Sequence, residues 1–109
     1  MKIGAFEELV LLAVGSLGDE AYGVTVKELL QEKTGKNPSI GALHSAFYRL
    51  EEKGCLGSSE GGATAERGGR RKKFYTLTNL GRNTLIEANK LRFEFSKNIE
   101  GLNLSLDGT

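Results

Sequence analysis

The sequence predicts a mainly α-helical fold with a small β-sheet, in which one compact domain is followed by a long C-terminal helix. Apolar residues recur at three- and four-residue spacing in four stretches, which is the pattern of amphipathic helices. Two short stretches, near residues 55–60 and 72–77, favour extended structure, and a glycine-rich segment joins them. With 109 residues, 39% of them hydrophobic, the chain is long enough for one domain.

The first two helices are predicted from Ala5 to Leu17 and from about Tyr22 to Thr34. Glu7 and Glu8 fall on the side of the first helix opposite its apolar residues, so we expect both to face solvent. Gly35 follows the second helix and is suited to be its C-cap. The residues expected to face inward are Phe6, Leu9, Val10, Ala13, Val14 and Leu17 in the first helix and Val26, Leu29 and Leu30 in the second.

A third helix is predicted to begin after the N-cap candidate Ser39 and to end before Gly54. Its inward stripe is Ile40, Leu43, Phe47 and Leu50, and the step of about 100° per residue places small and polar residues outside. These are Gly41, Ser45, Tyr48 and Glu52 opposite the stripe, with Ala42, His44 and Arg49 on its flanks. A helix that reads DNA needs small residues for close approach and polar ones to reach the bases. The alternative is an ordinary solvated helix face.

Charge is segregated along the chain, although the net charge is only +1. Residues 1–66 carry six basic and ten acidic side chains, whereas residues 67–73 carry five basic and no acidic ones. The basic side chains are Arg67, Arg70, Arg71, Lys72 and Lys73. They lie in the connection between the two predicted strands and at the start of the second strand, so the hairpin is interpreted as a wing whose cations contact DNA phosphates, or whose tip enters the minor groove. The alternative is a solvated basic loop.

A fourth helix is predicted from the cap Thr78 to about Asn98. One side carries the stripe Ala88, Leu91, Phe95 and Ile99, and a separate side carries Ile86 and Phe93. A helix that is apolar on two sides needs two partners, and three short helices with a hairpin cover only one of them. We therefore expect the stripe to be a homodimer interface. The remaining residues, 101–109, are expected to be a flexible tail, with a docked strand as the alternative.

Several classes of protein are disfavoured. The single cysteine, Cys55, has no partner for a disulfide and no metal-ligand spacing around it, so a buried structural thiol is expected. The single histidine, His44, has no recognisable nucleophile and acid around it, so neither an enzyme nor a cofactor or metal site is expected. No stretch has the signature of a membrane span or signal peptide, and the expected location is the cytoplasm.

The ordered set of segments resembles the PadR family of transcriptional regulators. The resemblance covers about residues 5 to 95 and rests on Tyr22-Gly23, on residues 39–54 (SIGALHSAFYRLEEKG) and on residues 68–82 (GGRRKKFYTLTNLGR). It implies a winged helix-turn-helix domain over residues 1–78, a C-terminal dimerisation helix over 79–100, and a bacterial homodimer that represses transcription at a palindromic operator. It also implies that Tyr22 and Ser39 belong to the DNA-contacting set. A winged helix that binds only protein is the alternative.

This chain departs from the family pattern at a few positions. His44 and Ser45 stand where the recognition helix usually has tyrosine and proline, and Arg71 stands where the wing usually has proline. The base sequence read is therefore expected to differ. Some short members bind flat aromatic drugs between tryptophans, and this chain has no tryptophan. The resemblance leaves open a small-molecule inducer, which the sequence does not identify.

Overall fold

The computed structural model describes residues 2–61 and 72–102 and contains four α-helices and one two-stranded sheet in these ranges. The mainly helical fold with a small sheet is confirmed. In chain order the elements are α1 (Ala5–Leu17), α2 (Gly23–Thr34), α3 (Ile40–Glu52), β1 (Leu56–Gly61), β2 (Lys72–Leu77) and α4 (Asn79–Ser96). A short 3-10 turn, Gly18–Glu20, separates α1 from α2.

Three helix ends lie at capping residues that the sequence predicts. The Ser39 hydroxyl accepts a hydrogen bond from the Ala42 N–H at 3.0 Å, and the Thr78 hydroxyl accepts one from the Gly81 N–H at 2.9 Å. Both are N-cap contacts, which satisfy backbone donors left open at the first turn of a helix. Gly35 ends α2 in the left-handed conformation, with φ of 75°. The caps therefore fix where α3 and α4 begin and where α2 ends.

The two strands form an antiparallel hairpin that is attached to the helices. The register runs from Leu56 opposite Leu77 to Gly61 opposite Lys72. Just before α2, Tyr22 forms an isolated bridge with Phe74, and the Tyr75 N–H donates to the Ala21 carbonyl at 2.8 Å. Since β2 is bonded to β1 on one edge and to this segment on the other, the base of the hairpin is held against the helical body.

The core lies between the first three helices and the hairpin. At its centre the Phe47 ring stacks on Tyr75, with ring centroids 3.9 Å apart. The predicted inward residues Val10, Leu43 and Leu50 are fully buried. The complete set of buried apolar side chains is Val10, Leu11, Ala13, Val14, Ala21, Val26, Leu30, Leu43, Ala46, Phe47, Leu50, Cys55, Leu56 and Tyr75.

Two predicted inward residues are wrong. Ile40 is 50% exposed, because it opens α3 in a turn whose neighbours Ser39 and Gly41 are exposed as well. Leu9 is 38% exposed, and Leu11 is buried instead. The buried face of α1 is therefore rotated by part of a turn from the predicted one.

The predicted buried thiol is confirmed, since Cys55 is fully buried. Its sulfur lies 3.9 Å from the Thr84 hydroxyl.

Among residues 2–61 and 72–102, no helix has the length and apolar character needed to cross a bilayer. Within the same residues, no group of acidic, histidine and cysteine side chains is arranged to hold a metal ion.

Candidate nucleic-acid interface

The outer face of α3 is exposed as predicted. Four buried residues, Leu43, Ala46, Phe47 and Leu50, fix the inner side of the helix in the core. The residues that this anchoring turns outward are Gly41, Ala42, His44, Ser45, Tyr48, Arg49 and Glu52. Tyr48 is the most prominent large side chain among them and is 64% exposed. The face begins with small residues and continues with polar ones, which is what close approach to a polar surface requires.

The turn between α2 and α3 holds the start of this face in place. The Lys27 ammonium bonds the Asn37 side-chain oxygen, which ties the turn back onto α2. Ser39 then caps α3 and is itself exposed. Two helices joined by a short turn with the second one presented outward form a helix-turn-helix unit. The start of α3 is thus held in place with its outer side exposed.

One edge of the face is bonded to α1. Arg49 Nε donates to Glu7 Oε2 at 2.9 Å, and Lys53 Nζ donates to Glu7 Oε1 at 2.8 Å. Glu7 is buried, with 7% of its surface exposed, so the prediction that it faces solvent is wrong. The hydrogen bond from Lys53 lowers the pKa of this carboxyl from 4.5 to about 2 against the opposing effect of burial, with help from the Gly4 N–H and Arg49.

The first two residues of β2, at the loop end of the hairpin, are lysines in different surroundings. Lys72 Nζ lies 4.2 Å from the centroid of the Tyr22 ring, a cation–π contact, and the Tyr22 ring packs edge-on against Phe74. Lys73 points to the other face of β2, where its Nζ lies 3.5 Å from Glu51 Oε1. Both are exposed. The other predicted wing cations, Arg67, Arg70 and Arg71, lie outside the described residues.

Three residues of the predicted dimer stripe, Ala88, Leu91 and Phe95, lie on α4, whereas Ile99 follows the helix, which ends at Ser96 rather than near Asn98. Leu91 is 60% exposed, Phe95 69% and Ile99 52%, while Ala88 is partly buried. Beside the stripe, a groove of about 510 Å³ runs between the N-terminal segment and α4. Its apolar lining comes from Ile3, Leu80, Ala88 and Leu91. On the separate side of α4, Ile86 and Phe93 are exposed too, so the expectation that the helices and hairpin cover one of the two apolar sides is wrong. The helix packs on the body through Gly81 and Leu85 instead.

Sequence reasoning missed the acidic partners of the basic side chains. Glu7 and Glu51 were not among the predicted site residues, yet they bond Arg49 and Lys73. A signal for the first pair is present in the sequence: Arg49 and Lys53 are four residues apart and share one side of α3. This spacing allows both cations to bond one acidic group on the neighbouring helix, but it does not identify that group.

Comparison with known proteins gives this arrangement a family. A similar fold occurs in RosR of H. salinarum, in its complex structure hsRosR-S4 (22% identity, TM-score 0.73, 90% of this chain and 77% of that one). A PadR-like transcription factor from Bacteroides fragilis is 24% identical, with a TM-score of 0.72 over 84% of this chain and 84% of that one. A PadR family regulator from hypervirulent Clostridium difficile is 25% identical, with a TM-score of 0.67 over 85% of this chain and 92% of that one. No curated protein matches the sequence. The model of the PadR-like transcriptional regulator family matches residues 10–87, and the chain belongs to this family.

Proposed function

We propose that this protein is a sequence-specific DNA-binding transcriptional regulator that acts in the cytoplasm as a repressor and binds a palindromic operator as a homodimer. The observation that carries the proposal is the exposed small and polar face of α3 together with the exposed lysines Lys72 and Lys73 at the start of β2. Membership of a family of transcriptional regulators supports it. So does the fold shared with the PadR family regulator from Clostridium difficile.

In this proposal the N-terminal half of α3 enters the major groove. Gly41 and Ala42 allow the backbone to approach closely, because neither side chain extends far from the helix. Polar groups on His44, Ser45 and Tyr48 then reach base edges or phosphates. Ser39 and Arg49 lie at the two ends of this surface.

The hairpin and the start of α2 supply contacts to the DNA backbone. Lys72 Nζ lies over the Tyr22 ring, so these two residues lie together at the start of α2 and are proposed to contact one stretch of the DNA backbone. Lys73, Arg67, Arg70 and Arg71 complete the proposed phosphate-binding set. Contacts of this kind position the protein and give affinity that does not depend on sequence.

The homodimer is proposed to form through the stripe Ala88, Leu91, Phe95 and Ile99. A contiguous apolar surface of this kind is uncommon on a monomer, and the groove beside Leu91 extends it toward the N-terminal segment. A twofold axis buries the stripe against its copy. The same axis sets two α3 helices on successive major-groove faces, about 34 to 36 Å apart, which a palindromic operator matches.

Selection of bound duplexes from fragmented genomic DNA tests the proposal. The full chain is expected to enrich a small set of fragments that share an inverted repeat with half-sites one helical turn apart. A winged helix that binds only protein enriches no fragment above a bead control, and this result would contradict the proposal. Enrichment of fragments with no shared sequence would contradict specific recognition and leave only electrostatic attachment to DNA.

A further inference from the structure

The ion-pair cluster at Glu7 joins α1 to the proposed DNA-reading helix. Three donors converge on this one carboxylate: Gly4 N–H at 3.1 Å, Arg49 Nε at 2.9 Å and Lys53 Nζ at 2.8 Å. The donors come from both sides of the α1–α3 junction. Because the carboxylate is buried and held from these directions, its position is fixed more tightly than that of a surface side chain.

We propose that Glu7 is a positioning residue for DNA binding, which holds the Arg49 guanidinium ready to contact the operator. This inference rests on the proposed function. The bond to Glu7 uses Nε, and four of the five guanidinium N–H groups belong to the two terminal nitrogens. The side chain of Arg49 is 56% exposed and follows Tyr48 on the outer flank of α3. Glu7 therefore anchors the inner part of a side chain whose outer part reaches solvent.

The energetic reason for such an anchor is the flexibility of arginine. A free arginine side chain has many rotamers, and holding one of them on DNA costs conformational entropy at the moment of binding. A side chain already restrained by a buried carboxylate has lost much of that freedom when the protein folds. The entropy cost of ordering the Arg49 side chain is thus incurred when the protein folds, and binding to DNA becomes more favourable by that amount.

Lys53 provides a matched control, because it bonds the same carboxylate without lying on the proposed DNA surface. It is the C-cap residue of α3, at the end opposite the half proposed to enter the major groove. Its ammonium also bonds the Lys2 carbonyl at 3.0 Å, so it holds the N-terminal segment rather than projecting outward. Loss of Lys53 removes an ion pair of Glu7 and leaves the Arg49 contact in place.

The test is a double-mutant cycle on binding to a duplex selected by the wild-type protein. Glu7→Ala is expected to weaken binding about two- to tenfold, the range for one long side chain that must be immobilised on binding. In an Arg49→Ala background the same change should alter the dissociation constant by no more than about twofold. Lys53→Ala should also leave it within about twofold. Glu7→Gln keeps the shape and one acceptor oxygen, so a smaller loss in the same direction is expected.

The outcomes separate positioning from mere support of the fold. Thermal melts show which variants are folded, and Glu7→Gln replaces Glu7→Ala in the cycle if the alanine variant does not fold. Equal losses on Glu7→Ala with and without Arg49, or an equal loss on Lys53→Ala, would show that the cluster only stabilises the domain. Unchanged binding by the folded Glu7 variants would also overturn the positioning role. A wild type that selects no duplex would overturn the proposed function itself, and the positioning role with it.

Discussion

Gly81 lies directly against the carbonyl of Cys55: a Cβ added to Gly81 would stand 2.2 Å from that oxygen. The same carbonyl accepts a hydrogen bond from the Thr78 N–H at 3.2 Å, so the first turn of α4 is seated on the end of the α3–β1 connection. No side chain larger than hydrogen fits at this contact without backbone movement.

Replacement of Gly81 by alanine is therefore expected to destabilise the protein by about 1 to 3 kcal/mol, the usual cost of forcing extra atoms into a packed site. Urea unfolding measures the change. Gly41→Ala is the matched control, since that glycine is also in the first turn of a helix but has nothing within 4 Å of an added Cβ. The control should be neutral or slightly stabilising. Equal stability of the two variants would contradict the close contact.

Tyr48 and Arg49 are expected to contribute to recognition. Replacing either with alanine should weaken specific DNA binding by about 1 to 3 kcal/mol if it contacts a base. Tyr48 is 64% exposed, so its loss should change the free energy of unfolding by no more than about 0.5 kcal/mol. Leu43→Ala, a fully buried control, should instead cost about 2 to 5 kcal/mol of stability. Wild-type affinity and sequence preference in both exposed variants would show that α3 does not read the DNA.

The two hairpin lysines are expected to differ in their effect on salt dependence. Lys72→Ala should lower the affinity for specific and random duplexes alike and flatten the slope of log affinity against log salt by about 0.9. Lys73→Ala should flatten it less, because Lys73 is already paired with Glu51. Lys90→Ala, on the exposed surface of α4, is the control. A slope that neither Lys72→Ala nor Lys73→Ala changes would exclude phosphate contacts by these two lysines.

Phe95 is expected to be central to the dimer. Phe95→Asp places a charge in the proposed apolar seam and should give monomers in sedimentation at micromolar concentration, with a large loss of operator affinity. Lys90→Asp introduces the same side chain on the same helix but away from the stripe, and should remain a dimer. A monomeric wild type, or a fully DNA-binding Phe95→Asp dimer, would show that this stripe is not the seam.

Glu7 is expected to make stability depend on acidity. Its pKa is lower in the folded protein, about 2, than its ordinary value of 4.5, so the ionised form favours folding. That contribution is complete above about pH 5 and is lost as the pH falls toward 2. Partial solvation of Arg49 and Lys53 limits it to roughly 1 to 2 kcal/mol. The free energy of unfolding, measured with urea across this pH range, should fall less steeply with decreasing pH for Glu7→Gln than for the wild type. Equal slopes for the two proteins would contradict the assignment.

Local patterns predicted the elements, because caps and stripes are determined by neighbours in sequence. Ser39 and Thr78 mark the starts of α3 and α4, and the buried residues of α3 follow its apolar spacing apart from Ile40. The position of Glu7 could not be predicted in this way. Its burial depends on Arg49 and Lys53, which are more than 40 residues away and approach only when α1 and α3 pack.

The proposed interface was predictable in outline and not in its pairings. The polar outer side of α3 follows from the helical period alone, and so does the exposed stripe of α4. Which lysine of β2 remains available to a ligand depends on the face of the strand that meets α3. Lys73 lies on that face beside Glu51, whereas Lys72 lies over Tyr22. Strand alternation places the two on opposite faces but does not tell which face the helix covers.

Under the proposed function, the stack of Phe47 on Tyr75 limits how far the spacing of operator contacts can vary. Because both rings are buried and stacked, they hold α3 and β2 together, and the distance between the outward surfaces of these two elements is set by the fold. On the proposed DNA, an inserted base pair between the bases facing α3 and the phosphates facing β2 moves one of these places by about 3.4 Å. We expect such an operator to engage the helix or the hairpin, but not both together.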